Sequence, residues 1–240
     1  DHTERMLAAM GASVGVEDRP GGGRRVTIDG FPRLRCQDLA VPGDPSSAAF
    51  FAALAAIAPS GELLLRGVCV NETRIGFLEV LRTMGASVTF ESEMLRGGEP
   101  IADVRVTANG GLVGTEVGAE TIPTLIDELP LLACLAAYAE GTTTVTGAAE
   151  LRVKESDRIA AVVGNLRRLG ADAAELPDGY VVRGTSPRLR GSVVTHGDHR
   201  LAMAFGILGA LEGNEIEIDD RECVAVSYPA FWTDLATVTS

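Results

Sequence analysis

The sequence predicts an α/β protein made of repeated units, in which three buried helices are surrounded by β-sheets and amphipathic helices lie outside. Three observations predict this class. Helices of two kinds alternate along the chain, glycine-bounded β-patterned segments lie between them, and a Gly-Ala pair follows each amphipathic helix. Repeated units that cannot bury their apolar faces alone are expected to pack around a shared axis.

The amphipathic helices share one plan: a polar start, a helix, a Gly-Ala stop and a strand. It occurs in residues 1–16, 71–90 and 155–176. Gly11, Gly85 and Gly170 are predicted to follow the helix ends. In the third copy an apolar face is formed by Ile159, Val162, Val163, Leu166 and Leu169. The opposite, solvent-facing side is expected to carry Arg158, Asn165, Arg167 and Arg168. The plan predicts surface helices with one buried stripe.

The second kind of helix is apolar on all sides and is therefore predicted to be buried. These helices are predicted in residues 48–57, 129–139 and 201–211. Asp44 followed by Pro45 fits an N-cap and a first helical position, and Asp198 is placed to cap the third helix. Each of the three buried helices is thus expected to follow a polar or proline-containing entry.

Strands are predicted next to these helices, at residues 61–67, 142–147 and 215–218. The recurring order gives three α/β units from about residue 41 to the C-terminus. The first 38 residues have an amphipathic helix and a strand without a preceding buried helix. We therefore expect residues 1–38 to be the end of an otherwise missing N-terminal domain, residues 39–240 to form a C-terminal domain, and the sequence to be a fragment.

Composition narrows the possible partners. The 240 residues are 46% hydrophobic, contain no apolar run long enough to cross a membrane and do not begin with a signal-peptide pattern, so a soluble, cytoplasmic protein is expected. A net charge of −12 argues against binding to nucleic acid or to an anionic membrane, because both need a broad cationic surface. An anionic ligand must therefore be held by a local cluster of bases.

The four cysteines are widely scattered, with no CxxC pair and no histidine at ligand spacing. They are Cys36, Cys69, Cys134 and Cys223. This pattern indicates neither a zinc site nor a disulfide framework, so buried free thiols are expected.

The most informative stretch is residues 152–158, which carries six polar side chains just before a helical pattern. At a helix start, unpaired backbone N–H groups and the positive end of the helix dipole face outward, and added Lys and Arg make an anion site. The stretch therefore suits a phosphate or a carboxylate.

Four motifs in order, at residues 1–4, 41–48, 151–158 and 198–200, make the whole chain similar to the EPSP synthase family of enolpyruvyl transferases. The resemblance implies an inside-out α/β barrel in two halves, with substrates bound between them. It also implies transfer of the enolpyruvyl group of phosphoenolpyruvate to the 5-hydroxyl of shikimate 3-phosphate, with release of phosphate and without metal or cofactor. The missing domain would then be a partner of this chain.

The resemblance also assigns roles to individual residues. Asp127 matches an aspartate that contacts the sugar hydroxyls and is a candidate proton acceptor; an N-cap of the next helix is an equally good interpretation. Glu155 matches a glutamate that moves a proton to and from the methylene carbon, and Lys154 a lysine near the reacting hydroxyl. Lys154 and Arg158 are four residues apart, a like-charge pair that is unfavourable without an anion between them. Glu128 is expected to be solvated.

Arg158 and Arg200 resemble the two arginines that hold phosphoenolpyruvate, and planar guanidinium groups suit carboxylate and phosphate oxygens. His199 matches a histidine beside that site. Asp198 is expected to cap its helix and orient Arg200.

Two positions depart from the family pattern: Val226 stands where many members have a lysine, and Glu150 where some have an amide. Part of the phosphoenolpyruvate clamp is then weaker or supplied differently.

Two alternatives stay open. A UDP-N-acetylglucosamine enolpyruvyl transferase would share the architecture, although the Lys-Glu-Ser-Asp-Arg and Asp-His-Arg motifs favour the shikimate enzyme. A non-catalytic repeat or interaction module would keep these charged motifs as solvated turns.

Overall fold

The computed structural model describes residues 1–20, 23–186 and 188–239, and it confirms a mixed α/β fold. In that part of the chain the helices are α1 His2–Ala9, α2 Pro45–Ile57, α3 Gly76–Thr83, α4 Leu129–Ala136, α5 Arg158–Arg168, α6 His199–Gly209 and α7 Phe231–Val238. The strands are β1 Val14–Asp18, β2 Arg24–Ile28, β3 Glu62–Cys69, β4 Ser87–Arg96, β5 Glu99–Thr107, β6 Leu112–Val113, β7 Glu116–Val117, β8 Ala139–Val145, β9 Asp172–Leu176, β10 Gly179–Gly184, β11 Arg190–Val193 and β12 Glu215–Ile218.

The three predicted buried helices are α2, α4 and α6, and they pack against one another in the core. All eight residues of α4 are buried, as expected for a helix that is apolar on every side. Asp44 caps α2, accepting hydrogen bonds from the backbone N–H groups of Ser46 and Ser47 at 3.2 and 2.9 Å. Asp198 caps α6 through the N–H of Arg200 at 3.0 Å. Both predicted caps are confirmed.

Each buried helix lies in a crossover between parallel β partners. Strands β6 and β7 both pair in parallel with β8, and β11 pairs in parallel with β12. Before α2, a parallel bridge joins Gly43 to Val68. Parallel strands need such a crossover, so the helix that follows each first strand is carried to the same side of its sheet. The repeat seen in the sequence is therefore a repeat of topology.

Antiparallel hairpins complete the first two units. The order β3-β5-β4 forms one sheet, and β10 lies between β8 and β9 in another. The predicted strands at 61–67, 142–147 and 215–218 correspond to β3, β8 and β12. The third unit differs, because α7 follows β12 after a 3-10 turn at Glu222–Val226.

The Gly-Ala stops have the predicted geometry. Gly11, Gly85 and Gly170 have φ of +96°, +96° and +101°, the left-handed region that glycine adopts without a Cβ penalty. The buried stripe is confirmed for α3 and α5 but is wrong for α1, which has no buried residue. Helix α1 contacts only β1 and β5 to any extent, so its apolar side chains lack a layer to pack under.

One face of α5 was predicted wrongly. Arg167 and Arg168 are exposed, but Arg158 and Asn165 are buried. Asn165 donates to the carbonyl of Val194 at 2.8 Å and accepts from its N–H at 3.0 Å, so it ties α5 to the end of β11. A second side of α5, besides its apolar stripe, is therefore covered, and Asn165 on that side is buried together with its hydrogen-bond partners.

The cysteine prediction is confirmed for Cys69 and Cys134, which are buried free thiols, and is wrong for the exposed Cys36. Across the described residues, no helix is both long enough and apolar enough to cross a membrane.

Candidate active site

The starts of several helices meet at one end of the core. The first residues of α5 and α6 and the 3-10 turn Ile126–Glu128 before α4 come together there through ion pairs. The crossover topology explains the meeting, because the three buried helices follow equivalent strands and point the same way. Residues distant in the sequence thus form one polar cluster.

Arg158 lies at the centre of this cluster and is only 1% exposed. Its guanidinium donates to Asp198 at 2.8 and 3.3 Å and to Asp127 at 3.2 Å, and it lies 2.7 Å from Glu155. The side chain is buried because three carboxylates surround it and compensate its charge. The prediction that Arg158 faces solvent is wrong for this reason.

Asp198 pairs with the side chain of Arg158, whereas it contacts Arg200 through the backbone N–H. Its carboxylate also accepts from the Ser156 hydroxyl at 3.1 Å, and it is fully buried. Burial raises the pKa of Asp198, but the hydrogen bonds and the ion pair with Arg158 outweigh burial, so its pKa lies below the ordinary value. The carboxylate is therefore ionised and fixed.

Asp127 receives three cations. Its Oδ1 lies 3.2 Å from Arg158 and 3.8 Å from the Lys154 ammonium, and its Oδ2 lies 3.5 Å from Arg200. It does not cap α4, because it lies in the preceding 3-10 turn and Glu128 occupies the cap position, without a side-chain cap hydrogen bond. Asp127 is also the anion between Lys154 and Arg158 that makes this like-charge pair acceptable.

Glu128 is buried, and the expectation of a solvated side chain is wrong. Its carboxylate lies 3.2 Å from the Arg200 guanidinium and is hydrogen-bonded to Ser46, whose hydroxyl accepts from Arg74 at 3.0 Å. Burial raises the pKa of Glu128 above the ordinary value, although Ser46 and Arg200 act against that rise. Glu128 thereby joins the starts of α2, α4 and α6.

Lys154, Glu155 and Arg200 present the accessible groups of the site. Their side chains are 25%, 54% and 16% exposed. Lys154 also pairs with Glu150 at 3.1 Å, so the position that departs from the family pattern contacts the predicted site directly. An anion approaching from solvent would reach Lys154 and Arg200 before Arg158, which Glu155 and Asp127 cover.

His199 is the first residue of α6 and is partly buried beside this cluster. Burial lowers the pKa of His199, and the nearby Arg200 and Arg158 act in the same direction, against Asp198. The imidazole is therefore neutral near pH 7 and can accept or donate one hydrogen bond.

The charged stretch 152–158 does not act as a unit. Arg152 faces away and donates to the carbonyls of Leu176 and Pro177 at 2.7 and 2.8 Å, which fastens it to the β9–β10 turn. Asp157 caps α5 through the N–H of Ala160 at 3.0 Å, so part of the expected N–H anion site is filled by the chain itself. The side chains of Lys154, Arg158 and Arg200 are the cationic groups of the cluster.

Three neighbours of the site could not be recognised in the sequence: Glu128, Ser46 and Arg74. Ser46 and Glu128 are each part of a helix start that the sequence located, yet nothing in their spacing shows that the two starts touch. Val226, the other departure from the family pattern, is 82% exposed.

The fold is similar to that of an enolpyruvyl transferase. It matches the solved structure of the enolpyruvyl transferase NikO from Streptomyces tendae with a TM-score of 0.68 and 20% identity, over 96% of this chain and 50% of that one. At this identity the likeness concerns the fold alone.

The chain belongs to the EPSP synthase family. The family model, EPSP synthase (3-phosphoshikimate 1-carboxyvinyltransferase), matches residues 1–235. Relatives named 3-phosphoshikimate 1-carboxyvinyltransferase are 52% identical in Pelotomaculum thermopropionicum and 48% identical in Aquifex aeolicus, each over 99% of this chain. A solved EPSP synthase from Acinetobacter baumannii matches all of the chain with a TM-score of 0.89 and 41% identity.

The chain spans about half the length of the relatives it matches: 54% of the Pelotomaculum protein, 55% of the Aquifex protein and 54% of the Acinetobacter chain.

Proposed function

We propose that this chain is the C-terminal part of an enzyme that transfers the enolpyruvyl group of phosphoenolpyruvate to the 5-hydroxyl of shikimate 3-phosphate, in the shikimate pathway. One observation carries the proposal beyond family membership: Asp127, a candidate base, is contacted by Lys154, Arg158 and Arg200 together. The Asp127 carboxylate can accept a proton, and the three cations around it can bind an anionic substrate beside it.

The reaction needs a proton at the methylene carbon of phosphoenolpyruvate and attack on the adjacent carbon by the sugar hydroxyl. We assign Asp127 to accept the proton of the attacking hydroxyl, with Lys154 beside the reacting oxygen. We assign Glu155 to donate the proton to the methylene carbon. Removal of a methyl proton then expels phosphate and restores the double bond. Glu155 is suited to both transfers because its side chain is half-exposed and its carboxylate lies 2.7 Å from Arg158, one of the groups assigned to the substrate.

Arg200 and Arg158 are assigned to the phosphoenolpyruvate anion, with His199 beside it. Arg200 is the first contact because it is accessible and its guanidinium is oriented by Glu128. Arg158 is enclosed by Asp198, Asp127 and Glu155, so it binds substrate only after Glu155 swings aside. Before that movement Arg158 fixes the carboxylates in place.

The balance of charge supports a missing half. The cluster has three cations, Lys154, Arg158 and Arg200, and these are already paired with five carboxylates. Two multiply charged anions cannot be bound side by side without further cations. We therefore propose that another domain supplies them and that this chain alone folds but does not turn over.

The division of the chain at residues 38 and 39 remains our proposal. Strands β1 and β2 pair Val14 with Ile28 and Val16 with Val26, which places apolar side chains on one face of a two-stranded sheet. Val16, Val26 and Ile28 are each nearly half exposed. A two-stranded sheet is marginally stable by itself, so an apolar layer from the N-terminal domain would suit this face.

The test is a phosphate-release assay on the 240-residue chain and on the complete gene product. We expect turnover of shikimate 3-phosphate and phosphoenolpyruvate only by the complete protein. Ordinary activity from the chain alone would refute the need for another domain. Consumption of UDP-N-acetylglucosamine in place of shikimate 3-phosphate would instead support the alternative transferase.

Arg200→Ala in the complete protein tests the catalytic assignment against a non-catalytic interaction module. We expect kcat/KM to fall by about 10²- to 10³-fold while the circular dichroism spectrum is kept, the size of loss typical for one charge-stabilising donor. Arg190→Ala is the matched control, because Arg190 forms an exposed ion pair with Glu215. Equal activity of the two variants would favour the interaction module.

A further inference from the structure

A second cluster of reactive side chains lies away from the site described above. It comprises His2 at the start of α1, Cys69 at the end of β3 and Glu99 at the start of β5. The His2 Nδ1 atom is 2.7 Å from Glu99 Oε1, and the Cys69 Sγ atom is 3.8 Å from Glu99 Oε2. All three potential ligand atoms lie within 4.8 Å of one another.

These separations lie on both sides of those in a tetrahedral zinc site. Bonds of about 2.0 to 2.3 Å at tetrahedral angles place ligand atoms roughly 3.3 to 3.6 Å apart. Reaching that range requires His2 Nδ1 and Glu99 Oε1 to part by about half an ångström, and it requires the widest separation in the cluster, at most 4.8 Å, to shrink by up to roughly 1.3 Å. His2 can adjust because its side chain is 46% exposed on the first turn of a helix. Cys69, which is buried, offers a fixed donor.

A buried amide holds the carboxylate in place. Asn71 has no exposed surface and donates to Glu99 Oε2 at 3.1 Å and to Asp1 at 2.7 Å. Its own carbonyl oxygen accepts from the N–H and the hydroxyl of Thr73 at 3.0 and 2.9 Å. Hydrogen bonds of this kind orient the ligands of protein metal sites and leave the other carboxylate oxygen directed at the ion.

The charges of the cluster favour a divalent cation. A thiolate and a carboxylate this close would repel each other without a cation between them. A cation between the two reverses that repulsion, and a coordinated thiol is deprotonated. One thiolate, one carboxylate and one neutral imidazole neutralise a 2+ ion.

We propose that His2, Cys69 and Glu99 form a binding site for Zn²⁺, with a fourth position open to the neighbouring cavity. The nitrogen, sulfur and oxygen donor set is typical of zinc. The cavity has a volume of about 350 Å³ and is lined by all three residues together with Leu39, Pro42 and Arg74, so it gives the ion access from solvent.

The site would fasten two parts of the chain together. His2 belongs to the segment 1–38, whereas Cys69 and Glu99 belong to the β3-β5-β4 sheet, and the connecting residues Leu39 and Pro42 line the same cavity. An ion there would fix α1 against the sheet. Sequence spacing gave no zinc motif because His2 and Glu99 are 97 residues apart, and Cys69 and Glu99 are 30 apart.

Cobalt substitution tests the site directly. Co²⁺ is added to the tag-free, metal-stripped chain, and the thiolate-to-cobalt charge-transfer band is recorded in the near ultraviolet. We expect a band with one equivalent of Co²⁺ that one equivalent of Zn²⁺ removes. Cys69→Ser should abolish the band, and His2→Asn and Glu99→Gln should each weaken Zn²⁺ binding about tenfold or more, by analogy with losses of 10- to 100-fold from weaker outer contacts.

The matched controls are Cys36→Ser, which removes an exposed thiol, and His196→Asn, which removes an exposed imidazole. Both should bind metal like the parent chain. A band that persists in Cys69→Ser, that is lost in Cys36→Ser, or that never forms would overturn the proposal.

Thermal unfolding supplies a second measurement. At one Zn²⁺ concentration the Tm of the parent chain and of both controls should rise, and that of His2→Asn should rise less because this variant binds Zn²⁺ more weakly. Because His2 is half-exposed, this variant is expected to fold even if Cys69→Ser does not. Equal Zn²⁺ stabilisation of the parent chain and of His2→Asn would show that the cluster is only an ion pair with a nearby thiol.

Discussion

Arg158 Nε donates to Asp198 Oδ2 at 2.8 Å, and both side chains are buried. The same carboxylate caps α6 through the N–H of Arg200. One aspartate therefore joins the start of α5 to the start of α6 and sets the position of both arginines in the site.

Removing the Asp198 carboxylate should strongly destabilise the chain. In Asp198→Ala the buried Arg158 loses its closest partner and α6 loses its cap, and breaking a buried pair costs about 3 to 5 kcal/mol. We expect the Tm to fall by roughly 10 °C in calorimetry, from about 2 to 4 °C per kcal/mol at this chain length. Asp198→Asn, which can still cap, should lose less.

Asp172→Asn is the control for this experiment, because Asp172 pairs with Arg183 at 3.5 Å while both side chains are more than half exposed. Exposed pairs contribute about 0 to 1 kcal/mol. If Asp198→Ala proved as stable as Asp172→Asn, the buried pair would not organise the site.

The contribution of Asp198 should depend on pH. Its pKa is lowered in the folded chain, so its ionisation stabilises the fold above the unfolded pKa of about 3.9, and this stability is lost as the pH falls through the folded pKa. Urea unfolding at pH 6, 4 and 3 gives the free energy of unfolding of the parent and of Asp198→Asn. The difference between the two should become smaller as the pH is lowered. A difference that stays constant over this range would contradict the prediction.

Glu128 should have the opposite dependence. Burial raises its pKa in the folded chain, so its contribution to stability is complete below the unfolded pKa and is lost as the pH rises through the folded pKa. Glu128→Gln should reduce the loss of unfolding free energy between pH 5 and 8, by on the order of 1 kcal/mol for each unit of pKa shift.

Urea unfolding across that pH range is the measurement, and the exposed Glu140→Gln is the control, for which we expect an unchanged slope. A Glu128→Gln variant with the same slope as the parent would mean that Arg200 and Ser46 fully compensate the buried carboxylate.

Two glycines six residues apart, Gly164 inside α5 and Gly170 after its end, should respond oppositely to alanine. Gly170 has φ +101°, where an added Cβ costs about 1 to 2 kcal/mol. Gly164 lies inside α5 with open space around its Cβ position, so alanine there should stabilise by about 0.5 to 1 kcal/mol. Urea unfolding of Gly170→Ala and Gly164→Ala measures the two changes in the free energy of unfolding. Changes of the same sign would contradict the end of α5 given above.

Much of the fold was predictable because its signals are local. Residues 48–57 are apolar on every side and come shortly after Asp44 and Pro45, so the burial and capping of α2 could be predicted from neighbouring residues alone. The glycine stops are also local, since φ at Gly85 is fixed by the geometry of one helix end. Helix α1 was predicted to bury a stripe and does not, because burial needs a second layer as well as a pattern.

The sequence by itself determined the repeated α/β units, the caps of α2 and α6 and the residues that carry the family motifs. Only the tertiary structure decided that Arg158 is buried, that Asp127 collects three cations and that Glu128 faces inward. The reason is physical: the burial of a charge depends on partners brought by other elements, and those partners are distant in sequence.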